Sequence, residues 1–180
     1  GVQFPAYVNL LGVSGKSRLL FGGKSSLLSA HGSNHVQLNG LVIDGDGRPL
    51  GDSVRGLHEA SNVARLVLDD CQIVGARKNA VDLFKCGGRI EATRISGASD
   101  AAIFAADSTG LEITGNEIND CGNGGILVQR YEQGRDGTII TGNRIGKTRA
   151  DAGGTGQNGN AINIFRANNV VVSNNVINDS

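Results

Sequence analysis

Residues 111–118 read LEITGNEI, and this stretch decides the fold. The apolar residues Leu111, Ile113 and Ile118 alternate with polar ones, which is typical of two short β-strands that each turn one face inward. Gly115 and Asn116 separate the two strands. Both residue types tolerate the left-handed backbone of a sharp bend, so the stretch predicts a strand, a bend and a second strand.

The same eight-residue pattern occurs six times along the chain. Its last positions are Ile43, Ile73, Ile95, Ile118, Ile145 and Ile177. A third short strand follows the pattern at residues 81–83, 103–105, 126–128 and 162–164, and Leu57-His58-Glu59 is a weaker copy. Three strands per repeat predict an all-β fold, a single-stranded right-handed parallel β-helix of about six coils of 22–32 residues. Stacked polar residues at 116, 143 and 175 are expected to form a ladder inside it.

A leucine-rich repeat is the main alternative, because its core pattern and period overlap this one. That fold also needs a leucine three residues before each pattern, where this chain has other residues. Those positions hold Ser33, Val63, Lys85, Ser108, Arg135 and Ala167. The β-helix is therefore favoured. Before the first copy, residues 18–21 and 26–28 are interpreted as two strands of an incomplete first coil.

Composition excludes several classes of function. Seventeen basic residues balance 17 acidic ones, which argues against nucleic-acid or anionic-membrane binding. Apolar runs are too short for a membrane-spanning helix. The chain has three cysteines, Cys71, Cys86 and Cys121. Because their number is odd and no two of them form a C-x-x-C pair, we expect them to be buried thiols. We expect neither a metal nor a cofactor.

The chain is expected to be one domain over residues 1–180, as a segment of a longer β-helix. No third strand follows the last copy of the pattern, which ends at Ile177. An uncovered β-helix end exposes unpaired strand edges, which proteins normally cover. We therefore expect further coils or a cap of the same protein to be a partner of this segment.

Three insertions interrupt the repeats. Residues 44–55 and 148–160 both precede a third strand, so they should form two walls at one edge of the third-strand sheet. Residues 130–137 follow a third strand and should leave the opposite edge. Rigid repeats with long loops are a common way to build a binding groove. The alternative, that these glycine-rich loops are insertions without a function, stays equally open.

The repeat, with its G-I-x-L strand followed by x-x-I-x-x-N-x-I, resembles the pectin-lyase-like superfamily. Together with residues 18–21 and 160–165, it also looks like an uncharacterised bacterial repeat family that is exported by the twin-arginine route. The resemblance implies a β-helix, a polysaccharide as partner, and a periplasmic or secreted location. Catalytic motifs of the superfamily are matched only in fragments, at residues 79–82 and 69–71.

A nonstandard site remains open on the outward row of the third strands. His58 and Asp82 lie on successive coils there, and a histidine beside a carboxylate is a plausible acid/base couple. Aromatic and amide side chains suit sugar binding. The expected substrate-binding residues are Phe84, Phe104, Gln129, Tyr131, Asn163 and Phe165.

Three functions therefore stay open. The first is an extracytoplasmic polysaccharide-binding β-helix without standard catalytic residues. The second is a polysaccharide lyase, hydrolase or epimerase with a nonstandard groove site. The third is a structural solenoid that contacts protein partners.

Overall fold

The computed structural model describes residues 1–154, 156 and 158–180. Within this part of the chain there are 21 β-strands and no helix. Nor do these residues contain a helix long and apolar enough to cross a membrane. The strands form three seven-stranded sheets, and strand n pairs in parallel with strand n+3 throughout. Each coil therefore adds one strand to every sheet, as expected for a right-handed parallel β-helix.

The first sheet carries the groove described below. It contains β1 (Val2–Phe4), β4 (Leu28–His31), β7 (Gly56–Ser61), β10 (Asn79–Phe84), β13 (Ala101–Ala106), β16 (Gly124–Arg135) and β19 (Asn160–Asn168). The second sheet contains β2 (Tyr7–Leu11), β5 (His35–Asn39), β8 (Arg65–Asp69), β11 (Gly88–Glu91), β14 (Leu111–Thr114), β17 (Ile139–Thr141) and β20 (Val171–Ser173). The third contains β3 (Ser17–Leu20), β6 (Leu41–Asp44), β9 (Gln72–Val74), β12 (Arg94–Ser96), β15 (Glu117–Cys121), β18 (Arg144–Thr148) and β21 (Val176–Asn178).

The described residues form about seven coils rather than six. The additional coil begins with β1 and β2, which sequence analysis does not find. In this coil, Leu10 of β2 and Leu19 of β3 take the inward positions that Leu38 and Ile43 take in the next coil. Eight residues lie between Leu10 and Leu19, against four in the pattern, because a longer turn joins the two strands. The eight-residue pattern therefore fails at this point although the strands are present.

The isoleucines that end the eight-residue pattern stack in one column of the third sheet. Ile43, Ile73, Ile95, Ile118 and Ile145 pair in register on successive coils, and each is at most 1 % exposed. Parallel pairing puts identical side chains about 4.8 Å apart, so one β-branched residue packs on the next along the whole solenoid. Leu38, Leu68, Ile90, Ile113 and Ile140 form a matching column in the second sheet.

The predicted polar ladder is confirmed at the bend between the second and third sheets. Asn143 is 1 % exposed, and its side-chain nitrogen donates to the carbonyl of Ile113 and to Oδ1 of Asn175, both at 2.9 Å. Its Oδ1 accepts from the backbone and side-chain nitrogens of Asn116, both at 3.0 Å. The preceding Gly142 has a φ of +67°, which is the left-handed conformation that this bend requires.

Earlier coils fill the same inward position with other residues. Thr93 accepts a hydrogen bond from the backbone nitrogen of Cys71 at 3.3 Å, and its own backbone nitrogen donates to Asn116 at 3.0 Å. All three cysteines are buried and unbridged, as expected. Burial raises the pKa of the Cys121 thiol to about 11, so this thiol stays protonated at neutral pH.

The substitution Asn143→Leu should lower the free energy of unfolding by about 2–3 kcal/mol, because it leaves several buried backbone and amide groups without partners. For a chain of this size that corresponds to a melting temperature about 4–12 °C lower. Thermal unfolding followed by circular dichroism measures the change. Asn119→Leu is the matched control, because Asn119 is exposed on the outer face. Equal melting temperatures for the two variants would contradict the ladder.

Candidate functional site

The candidate site is the outer face of the first sheet. Two rows of side chains point outward there, each with one residue per coil. The first row is Ser29, Glu59, Asp82, Phe104, Leu127 and Asn163. The second row is His31, Ser61, Phe84, Ala106, Gln129 and Phe165. Rings, carboxylates and amides therefore share one surface, as the alternation of the third strands predicts.

The expectation that His58 faces this surface beside Asp82 is wrong. His58 pairs with Val81, and Glu59 pairs with Asp82. His58 is fully buried, so the strand register differs by one residue from the sequence prediction. In β7 the inward positions hold His58 and Ala60, and Leu57 is buried as well. A one-residue slip exchanges the two faces of a strand, which is why the error moves the histidine from the groove to the core.

His58 is consequently a core residue in this structure. Its Nδ1 lies 3.2 Å from the carbonyl oxygen of Leu28, and Nε2 has no hydrogen-bond partner among the described residues. Burial lowers the pKa of His58 to about 4, although the Leu28 carbonyl and the charge of Glu59 act in the opposite direction. A neutral, enclosed imidazole cannot exchange protons with a molecule in the groove.

Asp82 belongs to the outer row but is covered by its neighbours. It is 5 % exposed, and its Oδ2 accepts a hydrogen bond of 2.8 Å from the side chain of Asn79. Arg55 Nε lies 3.5 Å from the same oxygen. Burial raises the pKa of the Asp82 carboxyl, while Arg55 and Asn79 oppose this and Glu59 adds to it. Asp82 is therefore placed to orient Arg55 rather than to contact a ligand directly.

Arg55 is a groove residue that sequence analysis misses. Its guanidinium carbon lies 5.4 Å from the centroid of the Phe104 ring, and about half of its side chain is exposed. Burial alone would lower the pKa of Arg55, but Asp82, Tyr131 and Glu59 raise it. Arg55 directly precedes the first residue of β7. It is the last residue of the insertion 44–55, which is predicted to form a wall at the strand edge. That position was a signal for a groove-facing side chain.

Buried and half-buried polar groups hold the loop of residues 45–55. The ammonium group of Lys78 donates to the carbonyls of Gly51 and Asp52 at 3.0 Å, and also to that of Val54. Glu59 accepts from the backbone nitrogen of Gly56 at 3.2 Å. These contacts fix the segment that carries Asp52 and Arg55, so the first predicted wall is a rigid one.

The second predicted wall stands at the same edge, between β18 and β19. Asn123 anchors it, since its Oδ1 accepts from the backbone nitrogen of Ala152 at 2.7 Å. The side-chain nitrogen of Asn123 donates to Asp100 at 3.1 Å. Asp52 of the first loop and Asn158 of the second line one hollow, so the prediction of two walls along one edge is confirmed for the described residues. Thr155 and Gln157 lie outside the described residues.

Tyr131 comes from the opposite edge, as predicted. The register between β16 and β19 shifts between Gln129 and Gly134, and the extra residues bulge outward. The backbone nitrogen of Tyr131 donates to Asp107 at 3.0 Å, and its carbonyl accepts from Arg166 at 2.7 Å. Its ring centroid lies 6.1 Å from that of Phe84. Tyr131 is thereby held over the second outward row while half of its surface stays exposed.

Two adjoining hollows form the groove. The polar hollow has a volume of about 270 Å³, and the apolar hollow one of about 380 Å³. The polar hollow is lined by Asp52, Val54, Arg55, Lys78, Asn79, Asp100, Ala101, Phe104, Leu127 and Asn158. The apolar hollow is lined by Phe104, Leu127, Val128, Gln129, Gly156, Asn163 and Phe165. Phe104 and Leu127 line both hollows, so the two lie side by side on the sheet.

The structure thus brings together most of the predicted binding residues. Phe104, Gln129, Asn163 and Phe165 line the apolar hollow, and Phe84 with Tyr131 lies beside it on the N-terminal side. The predicted catalytic and binding residues do not include the polar residues of the polar hollow, which are Asp52, Arg55, Lys78, Asn79, Asp100 and Asn158. Among the described residues, no three His, Cys, Asp or Glu side chains are grouped so that they could hold a metal ion.

His58 should make stability depend on pH. Its pKa is about 4 in the folded chain and about 6.5 in the unfolded chain, so the unfolded chain takes up the proton first. Stability that is present above pH 6.5 is therefore lost as the pH falls toward 4, by about 1.4 kcal/mol per pH unit. His58→Leu should remove this contribution.

Urea unfolding at several pH values between 4 and 7 measures the slope of stability against pH. The variant His31→Gln is the control, because it removes an exposed histidine instead of an enclosed one. If His58→Leu and the parent chain lose stability equally between pH 6.5 and 4, His58 is not enclosed as described.

Comparison with known proteins agrees with this architecture. The model of the family described as right-handed β-helix region matches residues 28–180, beginning at the first residue of β4. Neither the curated proteins nor the solved structures contain a significant match. The three parallel sheets also fit the pectin-lyase-like fold that the repeat resembles. The chain therefore belongs to the right-handed β-helix family.

Proposed function

We propose that this chain binds a polysaccharide in the groove on its first sheet. The observation that carries the proposal is that a polar and an apolar hollow adjoin on this sheet and share Phe104 and Leu127. The groove spans the four strands from β10 to β19, which at about 4.8 Å per strand is roughly 14 Å. A cleft of this length, open along the solenoid, suits a segment of a linear polymer.

The chemistry of the lining supports a sugar ligand. Sugars present apolar ring faces together with many hydroxyl groups, so they need apolar surface and hydrogen-bonding side chains side by side. Phe104 and Phe165 supply apolar surface. Asp52 and Asp100 lie at the rim of the polar hollow, where carboxylates accept hydrogen bonds from hydroxyl groups.

Each predicted binding residue has a proposed place. Phe104, Gln129, Asn163 and Phe165 contact the ligand in the apolar hollow. Phe84 and Tyr131 border the groove on its N-terminal side, where their rings pack together. Asp82 acts through Arg55, which it holds against the ring of Phe104. His58 is not proposed as an acid or base, because it lies in the core.

The location that goes with this proposal is the periplasm or the extracellular space. It rests on the resemblance of the repeat to exported carbohydrate-active β-helices.

Phe104→Ala should weaken polysaccharide binding about tenfold while the melting temperature changes little, because Phe104 is half-buried on the outer face and lines both hollows. A glycan array identifies the ligand, and isothermal titration calorimetry measures the dissociation constant. Tyr7→Ala is the control, since Tyr7 is an exposed aromatic residue of the second sheet. If the parent chain binds no glycan, or if both variants bind as the parent does, the groove proposal fails.

Arg55 and Asp82 should act as a unit in binding. Arg55→Ala removes the groove-facing cation, and Asp82→Asn removes the carboxylate that orients it. Each substitution should weaken binding, and the double variant should be little worse than Arg55→Ala, because residues in one network are not additive. The same calorimetric titration on all four proteins closes this cycle. Fully additive losses would show that Asp82 contacts the ligand independently of Arg55.

A further inference from the structure

The side chains that line the apolar hollow carry no charge. They are Phe104, Leu127, Gln129, Asn163 and Phe165. The volume of about 380 Å³ lies at the lower end of the roughly 300–1,000 Å³ that is usual for ligand pockets. This hollow therefore fits one uncharged group of about the size of a single sugar residue. It differs in this from the adjoining polar hollow, where Asp52, Arg55 and Asp100 meet.

An arginine guanidinium lies over each of the two phenylalanine rings of the hollow. The guanidinium carbon of Arg55 lies 5.4 Å from the centroid of Phe104, and that of Arg166 lies 4.9 Å from the centroid of Phe165. A cation over a ring takes up one of its two faces. Flat stacking of a sugar ring is left only to the other face of each ring. Leu127, which lies between the two rings, is aliphatic and packs best against a compact apolar group.

Two amides flank this aliphatic surface. Asn163 pairs with Leu127 across the neighbouring coil, and Gln129 lies two residues beyond Leu127 on the same face of β16. Each amide has both donors and an acceptor, so it can pair with hydroxyl or amide groups of a ligand. The arrangement thus offers one apolar contact with hydrogen-bonding groups immediately around it. A methyl group on a sugar ring matches this arrangement, because polar substituents occupy the adjacent ring carbons.

Building on the proposed polysaccharide function, we propose that the apolar hollow selects a sugar residue that bears a methyl group. A 6-deoxyhexose carries this methyl group on the ring, and an acetamido sugar carries it on the acetyl group. Burying a methyl group against Leu127, Phe104 and Phe165 removes apolar surface from water. A hydroxyl group in the same place would lose its hydrogen bonds to water without gaining equivalent ones from Leu127.

Matched sugars that differ at the methyl group test this proposal on the full chain. The first pair is methyl α-L-fucoside and methyl α-L-galactoside, and the second is methyl α-L-rhamnoside and methyl α-L-mannoside. N-acetylglucosamine and glucose form the third pair. Titrations followed by two-dimensional NMR should show at least one methyl-bearing sugar binding about tenfold more tightly than its hydroxyl partner. Signals of Leu127 and Gln129 should shift, and the pair that shows the preference identifies the kind of methyl group.

A substitution of the aliphatic contact then tests the site. Leu127→Gln should reduce the preference for the methyl-bearing sugar to within about twofold, since the new amide pairs with a hydroxyl group. Ile139→Gln is the matched control, because Ile139 is a partly exposed aliphatic residue of the second sheet, and it should keep the full preference. Unchanged preference in Leu127→Gln would overturn the proposal.

The outcomes also separate this inference from the function on which it rests. If both members of every pair bind the groove equally, selection of a methyl group is overturned and polysaccharide binding stands. If none of the six sugars binds but the glycan array yields a ligand without such a residue, the same conclusion follows. If neither the six sugars nor the array gives any binding, the proposed function fails together with the inference.

Discussion

Parallel pairing between successive coils is the constraint on which the rest of this structure depends. Each strand bonds to the strand one coil earlier, in register and about 4.8 Å away, so every side chain has its counterpart in the next coil as a neighbour. Most inward positions therefore repeat their chemistry from coil to coil, and His58, between Leu28 and Val81, is an exception. The isoleucine column repeats its chemistry through packing, and the asparagine ladder does so through hydrogen bonds. Function is left to the outward positions and to the loops.

The same constraint explains how much of the fold the sequence predicts. Wherever the bend has two residues, the eight-residue pattern locates both strands, and the inward positions from Leu38 to Ile145 agree with the structure. It fails in the first coil because a longer turn separates β2 from β3, although Val8 and Leu10 still pack against the core. Periodicity can be recognised only while the connection between the strands keeps its length.

The groove is predicted less completely, for two physical reasons. In β7 the inward positions hold His58 and Ala60, which hydrophobicity does not mark, so Leu57 misleads the register by one residue. The polar hollow is built by residues of loops and turns such as Asp52, Arg55 and Asp100, whose positions depend on tertiary contacts. The side chains of Lys78 and Asn123 make those contacts with backbone groups of the two loops. Local periodicity contains no information about them.

Rigid loops and buried charged groups together determine the chemistry of the groove surface. Arg55 is held from below by Asp82 and lies over Phe104, so its guanidinium covers one side of the ring on which a ligand would otherwise stack. Arg166 does the same to Phe165 at the other side of the apolar hollow while it also binds the carbonyl of Tyr131. Both arginines thus take part in the architecture of the walls, and the surface left between them is the side chain of Leu127. The fold supplies a flat, repetitive sheet, and a few charged residues from its edges divide that sheet into hollows of different chemistry.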